Sequence, residues 1–115
     1  MTKTDDRMLI RFREGSIDVP LRRLVYLESD LHKVYYFMLD SDGTMRTHYR
    51  YEKLDDAEQR LRDYGFYRIH QSFLVQGSFV KSVRRYKALL TNGEELNISK
   101  RYYKEAETRF GKQKL

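Results

Sequence analysis

The chain has 115 residues, enough for one domain, of which 40% are hydrophobic and 35% charged, with a mean hydropathy of -0.81. No apolar run approaches the ~18 residues that cross a bilayer, and no apolar segment follows MTKTDDRM as a secretory signal requires. The absence of cysteine excludes disulfides, thiolate metal sites and a Cys nucleophile.

These exclusions set the expectation of a cytoplasmic protein without membrane insertion. The net charge is +6, and it is unevenly placed: residues 1–67 hold 12 Lys and Arg against 13 Asp and Glu, residues 68–115 hold 11 against 4. A basic C-terminal part implies a polyanionic partner, because each phosphate neutralised releases condensed counterions. A plain solvated basic surface is the ordinary alternative.

In chain order, MLIRF (8–12) and SIDVPL (16–21) flank Glu14-Gly15 as a predicted hairpin. Ile17, Val19 and Leu21 alternate with polar residues, the period of a half-buried strand. Pro20 lacks an N–H and is expected at a strand end or edge. LVYLES (24–29) and KVYYFML (33–39) are strands around the break Asp30-Leu31-His32, and TMRTHY (44–49) returns after the turn residues 40–43. An amphipathic helix is predicted over 51–64, since Leu54, Ala57, Leu61 and Tyr64 share one face, with Gly65 as its stop. FYRIHQSFLV (66–75), FVKSVRRY (79–86) and KALLTNGEELNI (87–98) read as strands joined by short turns, Asn92-Gly93 being the best hairpin dipeptide. A short helix capped by Ser99 is predicted over 99–110, with Tyr102, Tyr103, Ala106 and Phe110 inward. The domain is expected at 8–110, between disordered tails at 1–7 and 111–115.

Catalytic patterns are missing. His32, His48 and His70 have no second ligand at metal spacing, and neither a glycine-rich phosphate loop nor a GxSxG elbow is present. Glu94 and Glu95 are adjacent, so in a strand they face opposite sides. Neither enzymatic activity nor a cofactor is expected.

Three blocks carry a resemblance. FYRIHQSFLVQGSFVKSV (66–83), with its aromatic-Arg lead into a His-x-Ser step, is similar to the most recognisable stretch of the LytTR-type DNA-binding domains. LVYLES (24–29) and LLTNGEELNISKRY (89–102) resemble that family's earlier strand and terminal hairpin, and the likeness covers roughly residues 8–110. It implies a mainly β fold of stacked short antiparallel sheets, a LytTR-like β-sandwich, with one amphipathic helix and a short C-terminal one. It also implies an output domain of bacterial response regulators, acting in transcription and reading duplex DNA by three loop regions in successive major grooves. By position the base-contacting residues would be His32, Gln71 and Arg101.

Their chemistry suits the role. Gln71 offers the donor and acceptor that match adenine N6/N7, Arg101 can grip guanine O6/N7, and His32 can donate to a purine or a phosphate. Lys33, Arg68, Ser72, Arg84, Arg85, Lys100 and Lys104 are the candidate phosphate contacts, Lys33, Arg68 and Lys100 foremost because they flank the readers. Each has an ordinary reading as a surface residue; His70 is expected to bond backbone near its turn. Two departures from the family pattern are visible: Gln76 in place of Asn, expected to loosen a local turn, and Gln71 in place of a basic residue or Asn, expected to alter base preference. The expected partner is double-stranded DNA carrying direct repeats, bound by monomers that pair on the DNA, with a receiver or membrane regulatory partner on a separate chain. A protein-interaction or antagonist module that kept the fold and lost DNA readout is the first alternative. A single-stranded RNA binder with aromatic stacking surfaces is the second.

Overall fold

The structure, a computed structural model, describes residues 6–111. Its elements run β1 (Arg7–Phe12), β2 (Gly15–Pro20), β3 (Leu24–Asp30), β4 (Lys33–Leu39), β5 (Met45–Tyr51), α1 (Leu54–Leu61), β6 (Phe66–His70), β7 (Phe73–Gln76), β8 (Val80–Arg84), β9 (Lys87–Leu90), β10 (Glu95–Asn97) and α2 (Lys100–Phe110). Of the expected tails, residues 1–5 and 112–115 lie outside the described residues. Arg7 opens β1, and the Gly111 N–H donates to the Glu107 carbonyl at the end of α2.

The strands form three antiparallel sheets: the β1-β2 hairpin, a five-stranded sheet ordered β5-β4-β3-β7-β6, and a three-stranded sheet ordered β10-β9-β8. The mainly β expectation of stacked antiparallel sheets with two helices therefore holds. The five-stranded sheet is the middle layer, with β1, β2 and α1 over one face and β8–β10 and α2 over the other. Strand β3 is its centre and carries apolar side chains to both cores. Leu24 and Leu27 join Ile10, Phe12, Val34 and Leu61 on one side, whereas Val25 and Tyr26 join Ile69, Val75 and Leu90 on the other. Two neighbours share a face because the pairing with β4 shifts between Leu24 and Tyr26, a bulge with one extra residue. A strand buried on both faces loses the period-2 signature, which is why LVYL reads as a continuous apolar run.

Local chemistry explains the boundaries. Pro20 is the last residue of β2 and ends it. The predicted helix over 51–64 is shorter at both ends. Tyr51 pairs with Lys33 and belongs to β5, and the chain tightens into a 3-10 turn at Arg62–Tyr64 before Gly65, at φ 84, reverses it. The run 66–75 is divided by a turn at Gln71-Ser72 into β6 and β7, which pair with one another. Asn92-Gly93 makes the β9–β10 turn, Gly93 standing at φ 95. Ser99 occupies the N-cap position of α2 but makes no side-chain cap bond. Its N–H donates instead to the Ile69 carbonyl, and its Oγ is buried without a partner.

Two buried polar ties hold the layers in register. The Tyr36 hydroxyl donates to Glu52, and Arg60 donates to Glu52 Oε1 at 3.0 Å and to the Tyr36 hydroxyl at 2.8 Å, fastening α1 to the middle sheet. Burial and the Glu52 carboxylate push the Tyr36 hydroxyl pKa well up. Gln76, the one buried polar residue among the described residues, donates to the Leu21 and Leu24 carbonyls at 2.9 and 2.6 Å. The expectation of a loosened turn at Gln76 is thereby corrected: its amide reaches across to the turn between β2 and β3 and pins it.

Candidate nucleic-acid interface

Sheet pairing gathers two of the predicted readers, His32 and Gln71. Strand β3 runs antiparallel to β7 with Glu28 opposite Phe73, so the β3–β4 tip and the β6–β7 tip leave the sheet at the same end. The Ser29 N–H donates to the Ser72 carbonyl at 2.9 Å, joining the two tips directly. Their hairpins are two strand spacings apart, ~10 Å. The start of α2 arrives at this end because the Ser99 N–H bonds the last part of β6 at Ile69. His32 and Gln71 line one open cleft of about 540 Å³, and Gln71 and Arg101 line the next depression. All three are exposed.

Each tip is held by neighbours. His32 follows Leu31 in a two-residue loop between Asp30 and Lys33, and its carbonyl accepts from the Glu52 N–H at 3.1 Å. Beneath Gln71, Arg68 donates to the His70 carbonyl at 2.8 Å and to the Gln71 carbonyl at 2.6 Å, while its Nη1 donates to Asp55 and Glu58 of α1, both at 2.8 Å. The Ser72 N–H donates to His70 Nδ1 at 3.0 Å, the backbone bond expected of this histidine. An accepting Nδ1 leaves a ring proton to Nε2. Arg101 lies over the Tyr102 ring at 5.1 Å, and its charge contributes to lowering the pKa of the Asp55 carboxyl.

The expected phosphate contacts divide. Lys33, whose ammonium lies 4.7 Å from the centre of the Tyr49 ring, flanks the His32 tip. Lys100 and Lys104 are exposed one helical turn apart on α2. Arg85 sits beside Tyr103 in the β8–β9 turn, which abuts the start of α2 through the Ile98 N–H bond to the Tyr86 carbonyl. Ser72 stands half-buried in the β6–β7 turn. Arg68 differs from the others: its guanidinium makes four hydrogen bonds within the domain and its side chain is only 10% exposed, so its fork is turned inward beneath Gln71. Its hydrogen bond and charge in turn hold the Asp55 carboxyl below the usual carboxylate range, which offsets an acid that lines the same cleft. Arg84 is turned to Glu95 at 3.2 Å, an exposed pair in which its charge is partly matched.

One cluster escaped the sequence. Arg11, Arg13 and Arg50 line a shallow hollow with Tyr51, whose ring also faces the Lys33 ammonium at 5.9 Å, so positive charge continues past the His32 tip. Counting charge by halves hid them among the acids of residues 1–67. The outward positions of β1 beside the return strand β5 were the signal available.

The comparisons with known proteins agree with this fold. The family described as the LytTr DNA-binding domain matches residues 14–111. A solved structure described as the LytTr DNA-binding domain of a response regulator from Bacillus cereus is similar, with a TM-score of 0.65 and 25% identity, over 89% of this chain and 94% of that one. No curated protein matches the sequence.

Proposed function

The chain belongs to the LytTr DNA-binding domain family, a family of transcription regulation, and from that premise we propose that its cleft end reads duplex DNA in a sequence-specific manner. His32, Gln71 and Arg101 make the base contacts in the major groove. Lys33, Ser72, Arg85, Lys100 and Lys104 grip the flanking phosphates, with Arg11, Arg13 and Arg50 extending the grip. The observation that carries this reading is the convergence of exposed His32, Gln71 and Arg101, on two hairpin tips and a helix start, at one end of the middle sheet. Bidentate contacts discriminate by about 1–3 kcal/mol each, so phosphate contacts supply most of the affinity and make it salt-dependent. The protein works in the cytoplasm, is a monomer when free, and pairs on direct repeats about 10.5 bp or a multiple apart. A receiver or membrane regulator on a separate chain is the source of its signal.

The test is selection of bound sites from random duplexes, followed by titration of the best site. Arg101→Ala and Gln71→Ala should each cost about 1–3 kcal/mol there and relax selectivity at one position. Unchanged affinity and site preference in both variants would remove them as readers. A second repeat that adds nothing to affinity would discard the pairing.

The antagonist alternative predicts no linear log–log salt dependence of duplex binding, whereas this reading requires one. One observation favours a second reading: Tyr35, Tyr49 and Tyr51 make a row of ring contacts at 5.5 and 5.9 Å beside Lys33, a surface on which single-stranded bases could stack. Competition between the selected duplex and its separate strands decides between them, and the duplex should win.

A further inference from the structure

Leu31 stands out at the reading end. It is 92% exposed, the most exposed large apolar side chain among the described residues, and it belongs to neither hydrophobic core. Its φ is 58, the one positive value outside glycine among the described residues. Side chains other than those of Asn and Asp seldom adopt that region, because the Cβ approaches the following carbonyl. The two-residue loop from Asp30 to Lys33 requires the conformation, and glycine or asparagine would meet it with less strain and no exposed apolar surface. The fold thus keeps a side chain that is doubly unfavourable for folding, at the outermost point of a tip, beside His32 and across the cleft from Gln71. Strain and exposed apolar surface kept together at a functional edge point to a ligand that repays them.

The major-groove edges of the four bases offer donors, acceptors and a single apolar group, the C5-methyl of thymine. We infer that Leu31 is a specificity-determining residue that reads one thymine of the target by packing on its methyl. This rests on the proposal that the cleft end reads duplex DNA, and it adds an apolar fourth reader to the three polar ones. His32 next to it then reads the neighbouring base pair or its phosphate, so the β3–β4 tip reads by shape and apolar contact as well as by hydrogen bonds.

The experiment uses the full chain and the best duplex selected from random sequences, with each thymine replaced in turn by uracil, which removes only the methyl. One uracil position should weaken the wild-type protein by about fourfold, the equivalent of one buried methylene. Leu31→Ala should bind the thymine duplex less tightly and be indifferent to uracil at that same position, while responding like wild type elsewhere. Leu31→Asn should lose the same thymine preference yet melt at a higher temperature, separating readout from folding. If wild type and Leu31→Ala respond alike to uracil at every position while both bind the duplex, Leu31 reads no methyl and the inference falls although DNA reading stands. If the wild-type protein shows no salt-dependent duplex binding, both fall together.

Discussion

Arg68 joins three parts of the interface through one side chain, linking Asp55 and Glu58 of α1 to the carbonyls of His70 and Gln71. A lysine keeps the charge but cannot reach four acceptors in a plane. Arg68→Lys should therefore cost about 1–3 kcal/mol of stability, measured by urea unfolding, and weaken duplex binding without changing its salt slope. Lys33→Ala should do the reverse, leaving stability nearly unchanged and lowering the slope by about one unit. A lowered slope in Arg68→Met, which removes the charge, would mark Arg68 as a phosphate contact. Glu28, near the end of β3, has its carboxyl pushed above the ordinary range by burial and by Asp30. A raised folded pKa means the group favours the native state when protonated and that this contribution is lost as pH rises through the folded value. Glu28→Gln should accordingly gain in melting temperature over the wild type as pH climbs from the usual carboxylate range to neutrality, with no gain at acid pH. At this scale the family resemblance supplied Gln71 and Arg101 as the proposed readers, and their side-chain chemistry suits that proposal. The sequence named Arg68 only as a candidate phosphate contact and not as a partner of Asp55 and Glu58, because those acids lie in another element and no spacing rule connects residues 55 and 68.

Elements were legible wherever one face alone is buried or a turn dipeptide is strong. Strand β4, with Val34, Tyr36 and Met38 buried and alternate residues half-exposed, begins and ends at the predicted residues 33 and 39. Asn92-Gly93 and Gly65 fall where their conformational freedom is used. The limits of β6 were not legible, because Ile69 is an extra residue in its pairing with β7 and the aromatic run on either side of Gln71 conceals the turn. Ser99 holds the N-cap position without a side-chain cap bond, while its N–H ties the start of α2 to β6. Packing between elements gives a prediction of its own. A Cβ on Gly77 would stand 2.9 Å from Cε2 of Tyr67 and 3.3 Å from Cε1 of Phe110, rings that meet edge to face where the last turn of α2 lies on β6. Gly77→Ala should cost about 1–3 kcal/mol in urea unfolding by overpacking. It should leave the salt slope of duplex binding unaltered, since the proposed phosphate contacts of α2 are in its first turns. A change in slope would mean that the end of α2 also touches DNA.

The whole molecule is a three-layer arrangement whose middle sheet puts its loops to use at one end. Antiparallel pairing of β3 with β7 turns two hairpins distant in sequence into neighbours, and the bond from Ser99 to Ile69 adds a helix from the end of the chain. Composition could suggest a polyanion but not a face, because positive charge at Arg11, Arg13 and Arg50 is cancelled in a count by acids, of which Glu52 stands 3.7 Å from Arg50. The most direct measurement is titration of isotope-labelled protein with the selected duplex, following backbone amide NMR signals residue by residue. The account predicts that the largest shifts fall at 31–33, 71–72 and 100–104, with smaller ones at Arg11, Arg13 and Arg85. Signals from the β4–β5 turn at 40–44 should stay in place. Shifts concentrated at that turn, with the two hairpin tips and the start of α2 unmoved, would contradict it.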